Sequence, residues 1–511
     1  MKKLLPVLFP ILILFILSCE NKSADQNELT FKEKKDVVIT GRIFPFEEGK
    51  TSLKFAVDRI GAEQEAMVTD IDEQGYFELS FKTAIPTDFW VSYNSNFSLV
   101  AFPGDSLNIR WDGTKSGRPA ILETVKVYSK HSDINVGVIN YQKEYFSSKN
   151  YSTLFHENEE AYKKLNSKEY RLFVDSLHRE NLTQLKKVFP KTDESDPALN
   201  WAKLRILETY FHNLAFYPMK HANAKGIKMR EVELDDDFYS FWDSLPKINQ
   251  NNMSSAHAIS GMSNKYLFNR VGQSVFKEID KLKKTKDSTK LNDEIFSKLY
   301  VEEITDNAPD EFWKQVLLSE FLHSKLDAFQ FTVYENNQKQ IDDNLQLTFL
   351  KEPVNTKYKK LKNESENPVN FSRLNEFEED DVIASISKKF KNKTVYIDIW
   401  ATWCGPCRSE FKYSNELKDQ LKNEEVVFVY VCAESDKEAW KTATKHFNLD
   451  GEHYFLENDQ LRVLKEKYEV SGYPTYMIIK NNGELMRNVQ FRPSNEKTVE
   501  FLKQISNTDL I

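Results

Sequence analysis

A chain of 511 residues, 40% hydrophobic and 29% charged, has apolar side chains enough for several packed cores; at roughly 150 residues per unit it divides into about three domains. Its formal charge of −8 is spread over many Lys, Asp and Glu with no basic block, which excludes nucleic acid as an expected partner. Four cysteines in so long a chain (Cys19, Cys404, Cys407 and Cys432) make no disulfide framework, so stability must come from packing.

Met1 to Ser18 reads as a secretory signal. Lys2 and Lys3 form the charged start, and Leu4 to Leu17 an apolar core of about 14 residues, short for a bilayer span. Ile16-Leu17-Ser18-Cys19 is similar to a bacterial lipobox, a resemblance that implies cleavage before Cys19 and lipidation of that residue. An ordinary signal peptide ending near a cysteine, or an uncleaved anchor, is the alternative. Stable attachment takes more than one acyl chain, and the resemblance implies three. Residues 19–36 are polar, with Phe31 as the one aromatic, and read as a lipidated flexible tether.

Short alternating runs follow over residues 37–115. Val37–Ile43, Ser52–Val57, Tyr76–Phe81, Trp90–Tyr93 and Ser106–Trp111 are strand-like, divided by turn signals at Asp72-Glu73-Gln74-Gly75 and Pro103-Gly104-Asp105. The spacing predicts a small antiparallel β-sandwich or barrel. No catalytic constellation lies in it, so a spacer or partner-binding role is expected.

Residues 130–367 predict a helical domain rich in Lys, Asn and aromatics. Tyr170, Phe173, Val174, Leu177, Leu185 and Val188 keep helical spacing behind a capping pair, Asn166 and Glu169. Pro309-Asp310-Glu311 starts another helix ahead of Phe312, Val316 and Leu317. Ala198–Phe216, Tyr239–Leu245 and Tyr266–Leu282 behave likewise. The histidines here make no metal-ligand spacing, so surface or core positions are the expectation.

Residues 371–511 change to strand–helix alternation. The acidic run Glu376–Asp381 reads as a solvated linker or helix start, and Val382–Phe390 as a helix before the strand Val395–Ile399. A helix then runs to about Lys422. Val426–Val431 is a nearly continuous apolar run, as for a strand buried on both faces. Ser435 and Glu438 are spaced as a capping box, His453–Leu456 as a short strand and Leu461–Tyr468 as a helix. Thr475–Lys480 and Glu484–Arg487 flank the hairpin signal Asn481-Asn482-Gly483, and Ser494 opens a last helix carrying Val499, Leu502 and Ile505.

Between the strand Val395–Ile399 and its helix lies Trp400-Ala401-Thr402-Trp403-Cys404-Gly405-Pro406-Cys407-Arg408. Two cysteines two residues apart at a strand-to-helix junction form a redox dithiol pattern. The first sulfur is expected to be exposed and the second to lie inside the helix's first turn. Unpaired N–H groups and the positive dipole end there favour the Cys404 thiolate, the reactive form. Pro406 has no N–H to lose, and its fixed φ suits that turn. Half of a zinc site is the competing reading, but no second CxxC or His-x-x-x-His is present to complete it.

Asp398-Ile399-Trp400-Ala401-Thr402-Trp403-Cys404-Gly405-Pro406-Cys407 resembles the thioredoxin signature almost residue for residue. Val470-Ser471-Gly472-Tyr473-Pro474-Thr475, about 65 residues on, is similar to the loop in which that family carries a cis-proline beside the dithiol. The long interval and the lipobox-like start resemble the TlpA/ResA branch of extracytoplasmic thiol–disulfide oxidoreductases. The front sheet resembles the β-rich domain found ahead of such modules in some bacterial lipoproteins. The expected architecture is thus multidomain: an N-terminal antiparallel β-sandwich or barrel, a central α-helical domain and a C-terminal α/β thioredoxin-like fold.

The resemblance implies thiol–disulfide exchange with Cys404 as nucleophile and Cys407 as resolving thiol. It implies Asp398 as a buried carboxyl that takes the Cys407 proton; a strand residue paired with a lysine is the plainer alternative. Trp403, Gly405, Pro406, Tyr473 and Pro474 are the implied substrate-contact residues. Trp400 is expected to be structural, Arg408 exposed, and Cys432 a buried inert thiol. No cofactor or metal is called for. The implied partners are a disulfide-containing protein substrate and a membrane electron donor of the thiol–disulfide type, in a bacterial envelope setting facing the periplasm or cell surface. Two rivals stand beside this: a thiol peroxidase, and a lipid-anchored binding or assembly protein with an accessory redox module.

Overall fold

Alternating apolar and polar residues in Lys35–Ile43 (β1) bury Val37, Ile39 and Ile43 on one face, and the front sheets are built around this strand. In this computed structural model the described residues are 33–506 except 192, 194, 251, 285–292, 367–373, 376–379 and 488–489. The signal segment, Cys19, most of the tether and Glu376–Glu379 lie outside them.

Seven more strands follow: β2 (Ser52–Val57), β3 (Glu65–Asp70), β4 (Tyr76–Thr83), β5 (Thr87–Ser92), β6 (Asn96–Ala101), β7 (Ser106–Trp111) and β8 (Lys126–Tyr128). They form two four-stranded sheets, β4-β1-β7-β8 and β3-β2-β5-β6, neither of which closes into a barrel. One apolar cluster takes residues from both, among them Val37, Ile39, Phe77, Ile109 and Trp111 from one sheet and Phe55, Phe89, Phe97 and Leu99 from the other. The purely antiparallel expectation needs correction. β1 and β7 run parallel, from Val38↔Ser106 to Ile43↔Trp111, because the chain crosses to the other sheet and back before β7 arrives. Gly41 lies between β4 and β7, where a Cβ would meet the Ile109 carbonyl oxygen and the Phe77 ring at 2.3 Å; only glycine fits.

β6 escaped the sequence pattern because it is buried on nearly every residue. Its outer face and edge are covered by the helix Ser132–Ser147. Gln142 accepts from the Ser98 N–H and donates to its carbonyl, both at 2.8 Å. Asn135 does the same for Val100 at 2.8 and 2.9 Å. Two amide side chains thus stand in for a neighbouring strand.

The middle of the chain is helical. The Asn166/Glu169 capping box is present, and Asp310 accepts from the Trp313 N–H to cap Glu311–Asp327. Two stretches differ from the expected α-helix. Phe238–Ser244 is a 3₁₀ helix, and a five-residue π turn, Leu267–Val271, precedes the helix Gly272–Lys283.

The C-terminal sheet has the order β14-β13-β10-β11-β12-β9. Its strands are β9 (Leu374–Asn375), β10 (Thr394–Trp400), β11 (Val426–Cys432), β12 (Glu452–Phe455), β13 (Thr475–Ile479) and β14 (Leu485–Arg487). β9, β10, β11 and β12 are parallel, while β13 is antiparallel to both β10 and β14. Helices lie between the strands, and Gly405–Gln420 springs directly from β10. Asp381, the last acidic residue of its run, caps Val382–Lys389. Two predicted caps are corrected. Asp436, not Ser435, accepts from Ala439 to start Lys437–His446. The last helix begins at Glu496, because Ser494 is engaged elsewhere.

The dithiol side of this sheet does not face open solvent. One continuous apolar cluster joins Trp400, Cys404, Cys407 and Phe411 to Phe321, Leu322 and Phe329 of the helical middle.

Candidate active site

β10 is buried along its whole length and delivers the loop 401–404 at its carboxyl end. Two hydrogen bonds fix that loop: the Thr402 N–H donates to Ser435 Oγ at 3.0 Å, and the Cys404 N–H to the Ala401 carbonyl at 3.0 Å. Ser435 therefore serves the loop, which is why it cannot cap the following helix.

Cys404 is the N-cap residue of Gly405–Gln420, and its Sγ accepts from the Cys407 N–H at 3.1 Å. Pro406 occupies the first turn, as its missing donor allows. Cys404 and Cys407 are joined as a disulfide with Cα atoms 5.3 Å apart. The expectation of an exposed first sulfur is corrected in degree: Cys404 is 4% exposed and Cys407 1%. Packing against the helical middle explains the difference. Gly405, Pro406 and Trp403 around the sulfurs are exposed.

Trp403 donates its indole N–H to the Glu434 carbonyl at 2.7 Å and meets the Tyr473 ring edge-on at 5.8 Å. The antiparallel pairing Ile399↔Thr475, continued by two residues, brings Pro474 and Tyr473 to the end of β10 where the dithiol loop begins. The Tyr473–Pro474 bond is cis. Register and chain connectivity thus bring Trp403, Cys404, Gly405, Pro406, Cys407, Tyr473 and Pro474 to the carboxyl end of β10, with Asp398 two residues back inside the strand. Cys19 lies outside the described residues.

Asp398 lies beneath, fully buried, and in register between Tyr430 of β11 and Tyr476 of β13. Neither carboxyl oxygen has a hydrogen-bond partner among the described residues. Burial, with the nearby Glu410 charge adding to it, pushes the carboxyl up to about 8. Cys432 closes β11 beside Trp400; it is fully buried, and burial pushes its thiol up to about 12. Trp400 is fully buried against Phe411.

Two residues of the dithiol helix do more than the sequence reading assigned them. Glu410 lies three residues after Cys407, hence on the same helical face. It accepts from the Ser494 N–H at 3.0 Å and hydroxyl at 2.9 Å, and pairs with Arg492 at 3.5 Å. The i, i+3 spacing was the available signal. Arg408, expected to be exposed, is instead clamped. Its guanidinium donates to the Asp327 carbonyl at 2.8 Å and pairs with Glu63 at 2.9 Å. Those partners come from the helical middle and the front sheets, far away in sequence.

A dithiol capping a helix, with a protonatable carboxyl under it and an aromatic rim beside it, is equipped to exchange disulfides. Residues 392–485 match the family Thioredoxin_8, described as thioredoxin-like. The thiol-disulfide oxidoreductase ResA of Bacillus thuringiensis subsp. konkukian is 29% identical over 119 residues, 23% of this chain and 67% of that protein. The protein of the same name from Bacillus subtilis is 30% identical over 99 residues, 19% of this chain and 54% of that one. A solution structure of a thiol:disulfide interchange protein from a Bacteroides species is 20% identical, with TM-score 0.22, covering 24% of this chain and 78% of that one. The C-terminal part of the chain is a thioredoxin-like domain of the thiol–disulfide oxidoreductase type.

Proposed function

We propose that this protein is a membrane-anchored, extracytoplasmic thiol–disulfide oxidoreductase that reduces protein disulfides through Cys404 and Cys407. The observation that carries the reading is the Cys404–Cys407 pair at the helix start, with Asp398 buried below it. The anchor rests on the signal-like Met1–Ser18 and the lipobox-like Ile16–Cys19. Among the described residues no helix is long and apolar enough to cross a membrane.

In the reduced protein, the Cys404 thiolate attacks one sulfur of the substrate disulfide. The other substrate sulfur leaves as a thiolate and is protonated by solvent, and a mixed disulfide remains on Cys404. Cys407 gives its proton to ionised Asp398 and attacks Cys404 Sγ, expelling the second substrate thiolate. Two electrons have passed to the substrate, and the protein ends in the disulfide form. A membrane donor of the thiol–disulfide type reverses the exchange to restore the dithiol. Trp403 and the Tyr473–Pro474 segment form the rim against which an extended substrate segment lies.

Replacing Cys407 by Ser in the full-length chain is the test. Resolution is then blocked, so substrate proteins should accumulate on Cys404 as reductant-sensitive conjugates, and Cys404→Ser should abolish them. A full-length protein that reduces no disulfide and traps none would refute the reading.

A further inference from the structure

We propose that the helical middle holds a second site, apart from the dithiol, that binds a single-chain anionic amphiphile: an acyl chain in an apolar cavity, with its charged head at Lys325. None of the residues lining this cavity belongs to the thioredoxin-like domain.

The cavity measures about 410 Å³, within the roughly 300–1,000 Å³ of small-molecule sites. Ala215, Pro218, Leu267 and Phe321 give it a buried, apolar inner wall. Apolar hollows of this kind stay dry and readily take apolar guests. Met219 and Met229 line it as well, and their unbranched side chains adapt to a flexible chain. Tyr300 stacks on Phe321 with ring centroids 5.1 Å apart, which stiffens one wall. The π turn Leu267–Val271 shapes the entrance. Leu267, Phe268 and Asn269 all line the cavity, although three consecutive residues fan over about 200° of a regular α-helix. Phe268 is left 65% exposed and Met229 47% exposed, and the two form an apolar rim.

Polar groups gather where Glu311–Asp327 meets the cavity. Asn264, Ser324 and Lys325 all line it; Asn264 Nδ2 donates to Glu320 at 3.4 Å, and Glu320 lies one turn before Ser324. Two ammonium groups, Lys265 and Lys325, and no carboxylate line the cavity among the described residues. Glu208 neutralises Lys265 at 2.8 Å. Lys325 holds its ammonium 5.5 Å from the Phe296 and Phe321 rings, where the apolar wall meets the polar groups. Burial pushes the Glu320 carboxyl up to about 7, so it offsets only part of that positive charge. An apolar interior beside a cationic rim matches an acyl chain that ends in an anionic head. A bilayer surface carries the same chemistry, but a concave well fits one chain and not a flat leaflet.

The full-length protein carrying Cys19→Ser, so that no acyl group of its own competes, is titrated by calorimetry with monomeric carboxylates of about eight to fourteen carbons. Affinity should rise about fourfold per added methylene and level off once the chain fills the cavity. Lys325→Met should weaken dodecanoate by on the order of tenfold and leave dodecanol unchanged. Ser324→Trp, a substitution at an exposed position of the lining, should block both. No binding, a rise with chain length that never levels, or binding that persists in Ser324→Trp overturns the proposal. So does an equal loss of dodecanol and dodecanoate in Lys325→Met. Binding to phosphatidylglycerol vesicles without binding of monomeric dodecanoate also overturns it, and marks the rim as a bilayer contact. Disulfide reduction by Cys404 and Cys407 stands or falls separately.

Discussion

Asp398 sits where burial and a neighbouring carboxylate push in the same direction, and its carboxyl ends up titrating at about 8 instead of near 3.8. A raised folded-state value means that the neutral form favours the folded chain. That contribution is complete below about pH 4 and is lost as the pH rises through 8. Asp398→Asn should accordingly flatten the fall in Tm between pH 4 and pH 8, read by thermal unfolding across that range. If the carboxyl takes the Cys407 proton, the same variant should slow release from the mixed disulfide by on the order of a hundredfold in single-turnover reduction. Cys404, Cys407, Trp403 and Asp398 were legible because ten consecutive residues and one strand-to-helix junction hold them. Tyr473 and Pro474 were reachable through their own short motif. Glu410 and Arg408 were not, since what they do depends on Ser494, Glu63 and Asp327, which adjacency in sequence cannot reveal.

At the scale of elements, the edge of β6 is held by side chains that a strand-based reading ignores. Asn135 and Gln142 lie seven residues apart, two turns of one helix, and each satisfies both backbone groups of its strand residue. Removing either leaves a buried donor and acceptor unmet. Asn135→Ala or Gln142→Ala should therefore cost about 1–3 kcal/mol, measured by denaturant unfolding. Strands with clean alternation, such as β2 and β7, were read to the residue. β3 and β6 were not: β3 is mostly exposed and β6 mostly buried, so neither shows the period of two. The parallel β1–β7 pairing was equally hidden, because it depends on which sheet the chain visits between them.

Across the whole molecule, Arg408 joins three parts. It starts on the dithiol helix, reaches the Asp327 carbonyl at the end of Glu311–Asp327 and ends on Glu63 after β2. The part-buried bond to the Asp327 carbonyl contributes about 1.5–3 kcal/mol, and the exposed pair with Glu63 about 0–1 kcal/mol. Arg408→Ala should speed amide exchange in the last turn of Glu311–Asp327 and around residues 61–65, while the dithiol still oxidises. Arg408→Lys should restore little, because an ammonium is a point charge without the guanidinium fork. The burial of the sulfurs has a kinetic corollary. With both sulfurs nearly buried and a single dithiol among the described residues, electron source and electron sink must take turns at the exposed rim of Trp403, Gly405 and Pro406, as through a turnstile. Double-reciprocal plots at several donor concentrations should be parallel, and an excess of either reactant should hold the other off.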